Sequence, residues 1–382
     1  MIRPERSAMP NQDYSEIYPV DVKNPFRNPT EEPDYAPDYR EILPEIAMPE
    51  CRLPLYPQGR ERRSIRKFYA LTFLAVLFGY LTALTVFTLI QLIATVVLQQ
   101  IDMRALDGTL PQNYNAILQQ FMQDSSIMYA ANLIAFLLGN LFGFLVGCKL
   151  TDLKLRDFFQ LRKFTVIRCL VYVFAGLLIQ QGMGMLANLV YEFCESHDIT
   201  LASPDFSFSG SWKRTAVIVI YVVLVAPVTE ELLMRGLVLR NLSRVSQRFG
   251  IFLSAFLFAI MHENVAQFIY TFPLGILLGY ITIRHHSVIP AIIVHMVTNG
   301  AGIVTELLRM HLREDVFTSF SMIYMLTVLL FGGASLIWLI LSEHLPDQTP
   351  HQRSRSLRVA SASPLLWVLV SMHLVFTWLA AK

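Results

Sequence analysis

The feature that most constrains this chain is its succession of long uncharged apolar runs: 68–101, 125–148, 169–191, 264–283, 287–305, 316–342 and 359–381. A helix needs about 20 apolar residues to cross about 30 Å of hydrocarbon. Two further pieces are apolar but interrupted or short. Residues 215–239 carry Glu230, Glu231 and Arg235 inside an otherwise apolar stretch. Residues 249–262 would rise only about 21 Å as a helix. The pattern predicts an all-α polytopic transmembrane bundle of eight or nine helices, with 249–262 the least certain span. Composition agrees: mean hydropathy is +0.46, and charged residues make up 16% where soluble chains average about 25%.

Charge and cysteine usage exclude other classes. With 31 Lys+Arg against 29 Asp+Glu, no basic excess is left to neutralise a nucleic-acid backbone. Cys51, Cys148, Cys169 and Cys194 lack the spacing of a zinc finger or a disulfide framework.

Residues 1–66, rich in Pro, Asp, Glu, Asn and Tyr, cannot bury enough apolar surface to offset their ordering entropy. They read as a disordered tail. The tail ends in Arg60, Arg62, Arg63, Arg66 and Lys67, a topology signal. Counting Lys and Arg between the runs places the N-terminus in the cytoplasm and the C-terminus outside, with nine crossings.

Ionisable residues at membrane depth are costly and usually face a protein interior. Three clusters fit: "APVTEELLMRG" with Glu230, Glu231 and Arg235; "FLFAIMH" with Phe258 and His262; and "PAIIVHMVTNG" with His295 and Asn299. Glu231 and Arg235 are four residues apart on one helix face, a neutralised pair. Glu230 points about 100° away and is left to face a polar cavity. Pro227 can loosen the helix just before it. His295 and Asn299 share a face and can converge on one oxygen atom. By rise per residue, Glu230 lies roughly 15 Å, His295 roughly 12 Å and His262 up to about 20 Å from the cytoplasmic edge, so the three can meet in one layer.

A carboxylate, two imidazoles and an amide in a shared cavity suit hydrolysis of an amide or ester. Glu230 with His262 would activate water, and His295 with Asn299 would stabilise an oxyanion. A metal version is equally open, with Glu230, His262 and His295 as possible zinc ligands. HExxH is absent, because Ala266 stands where its second histidine would be. No Gly-x-Ser-x-Gly elbow occurs.

"EELLMR" (230–235), "FAIMH" (258–262) and "HMVTN" (295–299) resemble the EExxxR, FxxxH and HxxxN motifs of the CPBP family, the CAAX-protease and bacteriocin-processing intramembrane proteases. The resemblance covers about residues 165–310. It implies an α-helical intramembrane endopeptidase opening toward the cytosol. Its water-activating pair would be Glu230 and His262, and its oxyanion pair His295 and Asn299, supported by Glu231, Arg235 and Phe258. The chain then divides into a cytoplasmic tail (1–66), N-terminal transmembrane helices (67–164), the CPBP-like core (165–310) and C-terminal transmembrane helices (311–382). The expected partners are the lipid bilayer and a peptide or membrane-protein substrate; substrate identity, prenylation and oligomeric state stay open. The rival class is a non-enzymatic membrane protein, a proton-coupled transporter or a bacteriocin-immunity scaffold, using the same residues as titrating or structural groups.

Of the remaining polar residues, His285 and His286 read as solvated at the membrane surface, and His373 as a buried polar residue. Glu306 and Arg309 read as a structural pair. Asn132, Asn140, Gln180 and Gln181 read as interhelical hydrogen-bond glue.

Overall fold

Eight or nine helices are expected from the apolar runs, and among the described residues a helix lies at each run and at both interrupted or short stretches. The computed structural model describes residues 57–105, 126–161, 164–199, 201, 212–244, 246–342 and 357–380. The helices are α1 (Pro57–Ala105), α2 (Ser126–Thr151), α3 (Val166–Glu195), α5 (Gln247–Ile260), α6 (Val265–His285), α7 (Ile289–His311), α8 (Glu314–Ser342) and α9 (Pro364–Ala380). Between α3 and α5 runs α4, a continuous helical rod of five segments. They are Trp212–Ile220, the π-helical Tyr221–Val225, Ala226–Glu231, the π-helical Leu232–Leu239, and Arg240–Leu242. No strand forms among the described residues; one isolated bridge joins Phe159 to Ser287.

Among the described residues, seven helices are long and apolar enough to cross a membrane; α5 and α9 are the shorter apolar ones. The protein is therefore a multi-pass, all-α membrane protein. The interrupted 215–239 stretch makes a span-length rod, Thr215–Leu242, because its charges find partners inside the bundle.

Most of the expected tail, residues 1–56, lies outside the described residues. Residues 57–66 are helical rather than disordered. Pro57 starts α1 where a missing N–H costs nothing, and Ile65 is already buried, so the helix begins before the apolar run does.

Local chemistry sets the helix starts near the site. The Ser246 hydroxyl accepts the Phe249 N–H at 3.1 Å to open α5, and the Asn264 side chain accepts the Gln267 N–H at 3.0 Å to open α6. Pro290 occupies the first turn of α7. Packing forms two large apolar clusters. One joins α1, α2, α4, α5 and α9 around Tyr69, Phe144, Leu237 and Phe258; the other joins α3, α6, α7 and α8 around Tyr172, Leu278 and Val294. In the first, α1 and α2 approach so closely that a Cβ on Gly79 would stand 2.8 Å from the Gly139 carbonyl oxygen. Small residues at such crossings let membrane helices pack where lipid supplies no hydrophobic drive.

Two surface expectations are corrected. His285 is not solvated. It ends α6 fully buried, its Nε2 is 3.0 Å from the Tyr172 hydroxyl, and its ring lies against Phe164 and Tyr172. The apolar flank of α3 covers the short α6–α7 turn. Arg240 and Arg244, which lie past the 215–239 stretch among the charges expected to sit in a connecting loop, are also buried. Arg240 lies over the Phe158 ring at 4.8 Å and Arg244 over the Phe68 ring at 3.7 Å. The Arg244 guanidinium also donates to the Asn241 side-chain oxygen and to the Thr151 carbonyl. Glu306 and Arg309 pair as expected, at 2.6 and 2.9 Å. Asn140 donates to the Thr229 hydroxyl at 3.2 Å across α2 and α4. Cys148, Cys169 and Cys194 are free thiols; Cys51 lies outside the described residues.

Candidate active site

The two apolar clusters meet along α4, α5 and α7, and the three motifs converge on that seam. In α4, Ala226–Glu231 is the α-helical segment between two π-helical ones. Such bulges shift the backbone register and recur at functional sites. The first has a traceable cause. Its register pairs each N–H with the carbonyl five residues back, as Ala226 N–H does with Tyr221. The next acceptor, the Val222 carbonyl, would need an N–H from residue 227, which is proline and has none. Asn299 of α7 supplies the missing donor, Nδ2 to Val222 O at 2.9 Å.

Glu231 and Arg235 form the expected pair, 2.9 Å apart and both fully buried. Arg235 also donates to the Gly275 carbonyl at 3.1 Å. A side chain at 275 would crowd that contact, since its Cβ would sit 3.2 Å from the guanidinium. The same Glu231 oxygen, Oε1, receives His295 Nδ1 at 2.9 Å. One buried carboxylate therefore joins the first and third motifs. Because Nδ1 faces a carboxylate, it carries the proton, and His295 Nε2 is left to face Glu230 Oε2 at 3.9 Å. That separation is too long for a direct hydrogen bond; a single small atom bonded to both would fit between them. Glu230 keeps 24% of its side chain exposed.

His262 lies two residues beyond the end of α5, in the 261–264 connection, and not within the helix as its motif implied. Its Nδ1 donates to the Phe258 carbonyl at 2.8 Å, leaving Nε2 free to accept a proton. Its ring lies within electrostatic range of Glu230, His295 and Arg235. Phe258 is the platform that joins the motifs. Its ring meets His262 edge-on at 4.9 Å and His295 at 5.7 Å, and the Arg235 guanidinium stands 4.4 Å over it.

The chain brings Glu230, Glu231, Arg235, Phe258, His262 and His295 into one cluster. Asn299 reaches the same helix one turn or more earlier, at Val222, and does not share an oxygen partner with His295. Tyr221, in electrostatic range of Glu230, was not singled out from the sequence. A tyrosine in an apolar run carries no signal by itself. Among the described residues, no three His, Cys, Asp or Glu side chains are gathered to hold a metal ion. The proposed zinc set of Glu230, His262 and His295 is thus not assembled as a ligand sphere, although both imidazoles present a free Nε2.

With this geometry in view, one comparison with known families can be set beside it. Residues 212–301 match the model of the family described as type II CAAX prenyl endopeptidase, Rce1-like. This part of the chain is similar to that family. The match holds all seven motif residues, from Glu230 to Asn299, and bears out the resemblance to the CPBP and CAAX proteases. It stops short of α1–α3, α8 and α9. No curated protein and no solved structure matches the chain.

Proposed function

We propose that this protein is an intramembrane endopeptidase that hydrolyses a peptide bond of a membrane-associated or lipid-modified substrate. The observation that carries this reading is the approach of Glu230 on α4 to His295 on α7, 3.9 Å apart, with the His262 ring within electrostatic range of both. Three apolar helical elements would not bring ionisable groups together at depth without a polar task for them.

Glu230 takes a proton from a water molecule as the water oxygen attacks the peptide carbonyl carbon. His262 Nε2, its ring fixed through Nδ1, orients that water from the other side. The carbonyl bond opens to an oxyanion. His295, its ring held by the Nδ1 bond to Glu231, turns Nε2 toward it and donates when that nitrogen carries a proton. Asn299, held at the Val222 carbonyl, would reach the oxyanion with its remaining N–H only after shifting toward His295 as substrate binds. Collapse re-forms the carbonyl, breaks the C–N bond, and returns the proton from Glu230 to the departing amine. Arg235 and Glu231 hold the His295 ring and touch no substrate. No step is routed through a metal. The N-terminus is proposed to be cytoplasmic, which opens the site toward the cytosol.

The rival transporter reading places the same residues in proton relay. The test is cleavage of a farnesylated peptide ending in a CAAX sequence, and of membrane peptides compared by proteomics with and without an active copy. Wild-type protein cleaves and Glu230→Ala protein, equally folded, does not. Equal cleavage by Glu230→Ala protein removes the enzyme reading.

A further inference from the structure

Beside His262 stands a second polar cluster that no motif accounts for. Glu263 follows His262 directly and adopts a left-handed backbone, φ 52°. That conformation suits glycine, which is the usual residue just past a helix end; a long side chain there is disfavoured. The side chain must therefore contribute something a glycine could not. Its Oε1 accepts the Tyr80 hydroxyl of α1 at 2.8 Å and His373 Nδ1 of α9 at 2.9 Å. The Tyr80 and His373 rings also meet edge-on at 4.8 Å, and Phe376 backs Tyr80 at 5.9 Å. His373 is 1% exposed. The first and last described helices, both outside the family-matched stretch, thus grip the turn that carries His262.

We propose that Glu263 is a positioning residue for His262, clamped by Tyr80 and His373, so that α1 and α9 form part of the working protease. Three backbone bonds of this turn, Met261 N–H to Leu257, His262 N–H to Ala259 and Glu263 N–H to Ile260, are 3.1 to 3.3 Å long. They end α5 but do not tie the turn to the rest of the bundle. The Glu263 carboxylate does. His262 Nδ1 bonds only to its own helix end through Phe258, so its ring keeps its place within electrostatic range of Glu230 only while the turn is held.

The clamp rests on the proteolytic reading, and its test separates the two. Full-length protein in lipid nanodiscs is assayed on the farnesylated CAAX-type peptide. Glu263→Gly relieves the backbone and removes the clamp. It lowers kcat by about tenfold to a hundredfold, the scale of a small misplacement of a catalytic group. KM stays within about twofold, as expected when substrate binding is intact, and the unfolding midpoint does not fall. Glu263→Gln, which still accepts both donors, restores most of the rate. Tyr80→Phe added to Glu263→Gly costs nothing more. Wild-type kcat in Glu263→Gly, or a loss that only follows lost folded protein, overturns the clamp. If wild-type protein leaves the peptide uncut, the proteolytic reading of this substrate fails by itself. The clamp is then judged by the 15N ring signals of His262, assigned against His262→Ala. They move in Glu263→Gly and not in Glu263→Gln; unmoved signals overturn the proposal.

Discussion

Glu230 and Glu231 are neighbours in sequence and opposites in surroundings. Glu231 lies on the closed floor of the site, fully buried and bonded to Arg235 and His295. Glu230 lies at the mouth, partly exposed, with His295 Nε2 facing it across a gap. The floor spends its charge on structure. A buried ion pair adds little net stability over an apolar core, yet breaking one partner is costly because a bare charge stays behind. The mouth leaves its charge free for chemistry. The difference teaches that the two carboxylates should fail in different ways when altered.

The sharpest separation is at the mouth. Glu230→Gln lowers cleavage by about 10²–10⁴-fold, the usual contribution of a general base. Its unfolding midpoint, measured by a thermal scan in detergent, stays at the wild-type value. The floor breaks differently: Arg235→Met strands Glu231 and costs about 3–5 kcal/mol of stability. Adding Glu231→Leu recovers much of that loss in the same scan without recovering activity. If Arg235→Met protein melts like wild type, floor and mouth are not distinct.

The π-helical stretch above the mouth offers a gentler test. Asn299→Ala removes the donor to the Val222 carbonyl and costs about 1–3 kcal/mol, the penalty of an unmet buried acceptor. In a Pro227→Ala background, residue 227 regains its N–H and can meet that carbonyl itself. The Asn299→Ala cost then shrinks by roughly 1 kcal/mol, the size of a coupling between partners on one acceptor. An unchanged cost would sever Asn299 from Pro227. The smallest expected effect is that of chelation: activity of protein treated with a zinc chelator matches the untreated rate. A loss restored by zinc alone would replace direct water activation with metal chemistry at the mouth.

How far these regions could be read from the residues depends on the range of the interactions. Apolar runs are local, so most of the helices were legible to within a few residues, though α1 begins at Pro57, well before its run, and Glu231–Arg235 was legible from its four-residue spacing. That Glu230, His262 and His295 can share one layer was legible from depth, because rise per residue is a fixed length; the 3.9 Å approach of Glu230 to His295 was not. Contacts between distant segments were not legible. Nothing near Glu263 in the chain announces Tyr80, 183 residues away, or His373, 110 residues away. His285 looked solvated because its immediate neighbours are Arg284 and His286, whereas Tyr172 and Phe164 on and before α3 cover it. Pro227 signalled a disturbed helix. The π register, and the use of Asn299 to complete it, required knowing which helix lies alongside.

The most direct test of the account is a cryo-EM map of the full-length protein in nanodiscs, fine enough to orient side chains. The account predicts the Glu230 carboxylate facing His295 Nε2 at the 3.9 Å seen here, with His262 turned toward the same gap over the Phe258 ring. Glu230 pointing into lipid, or His262 and His295 on opposite sides of α4, would contradict it.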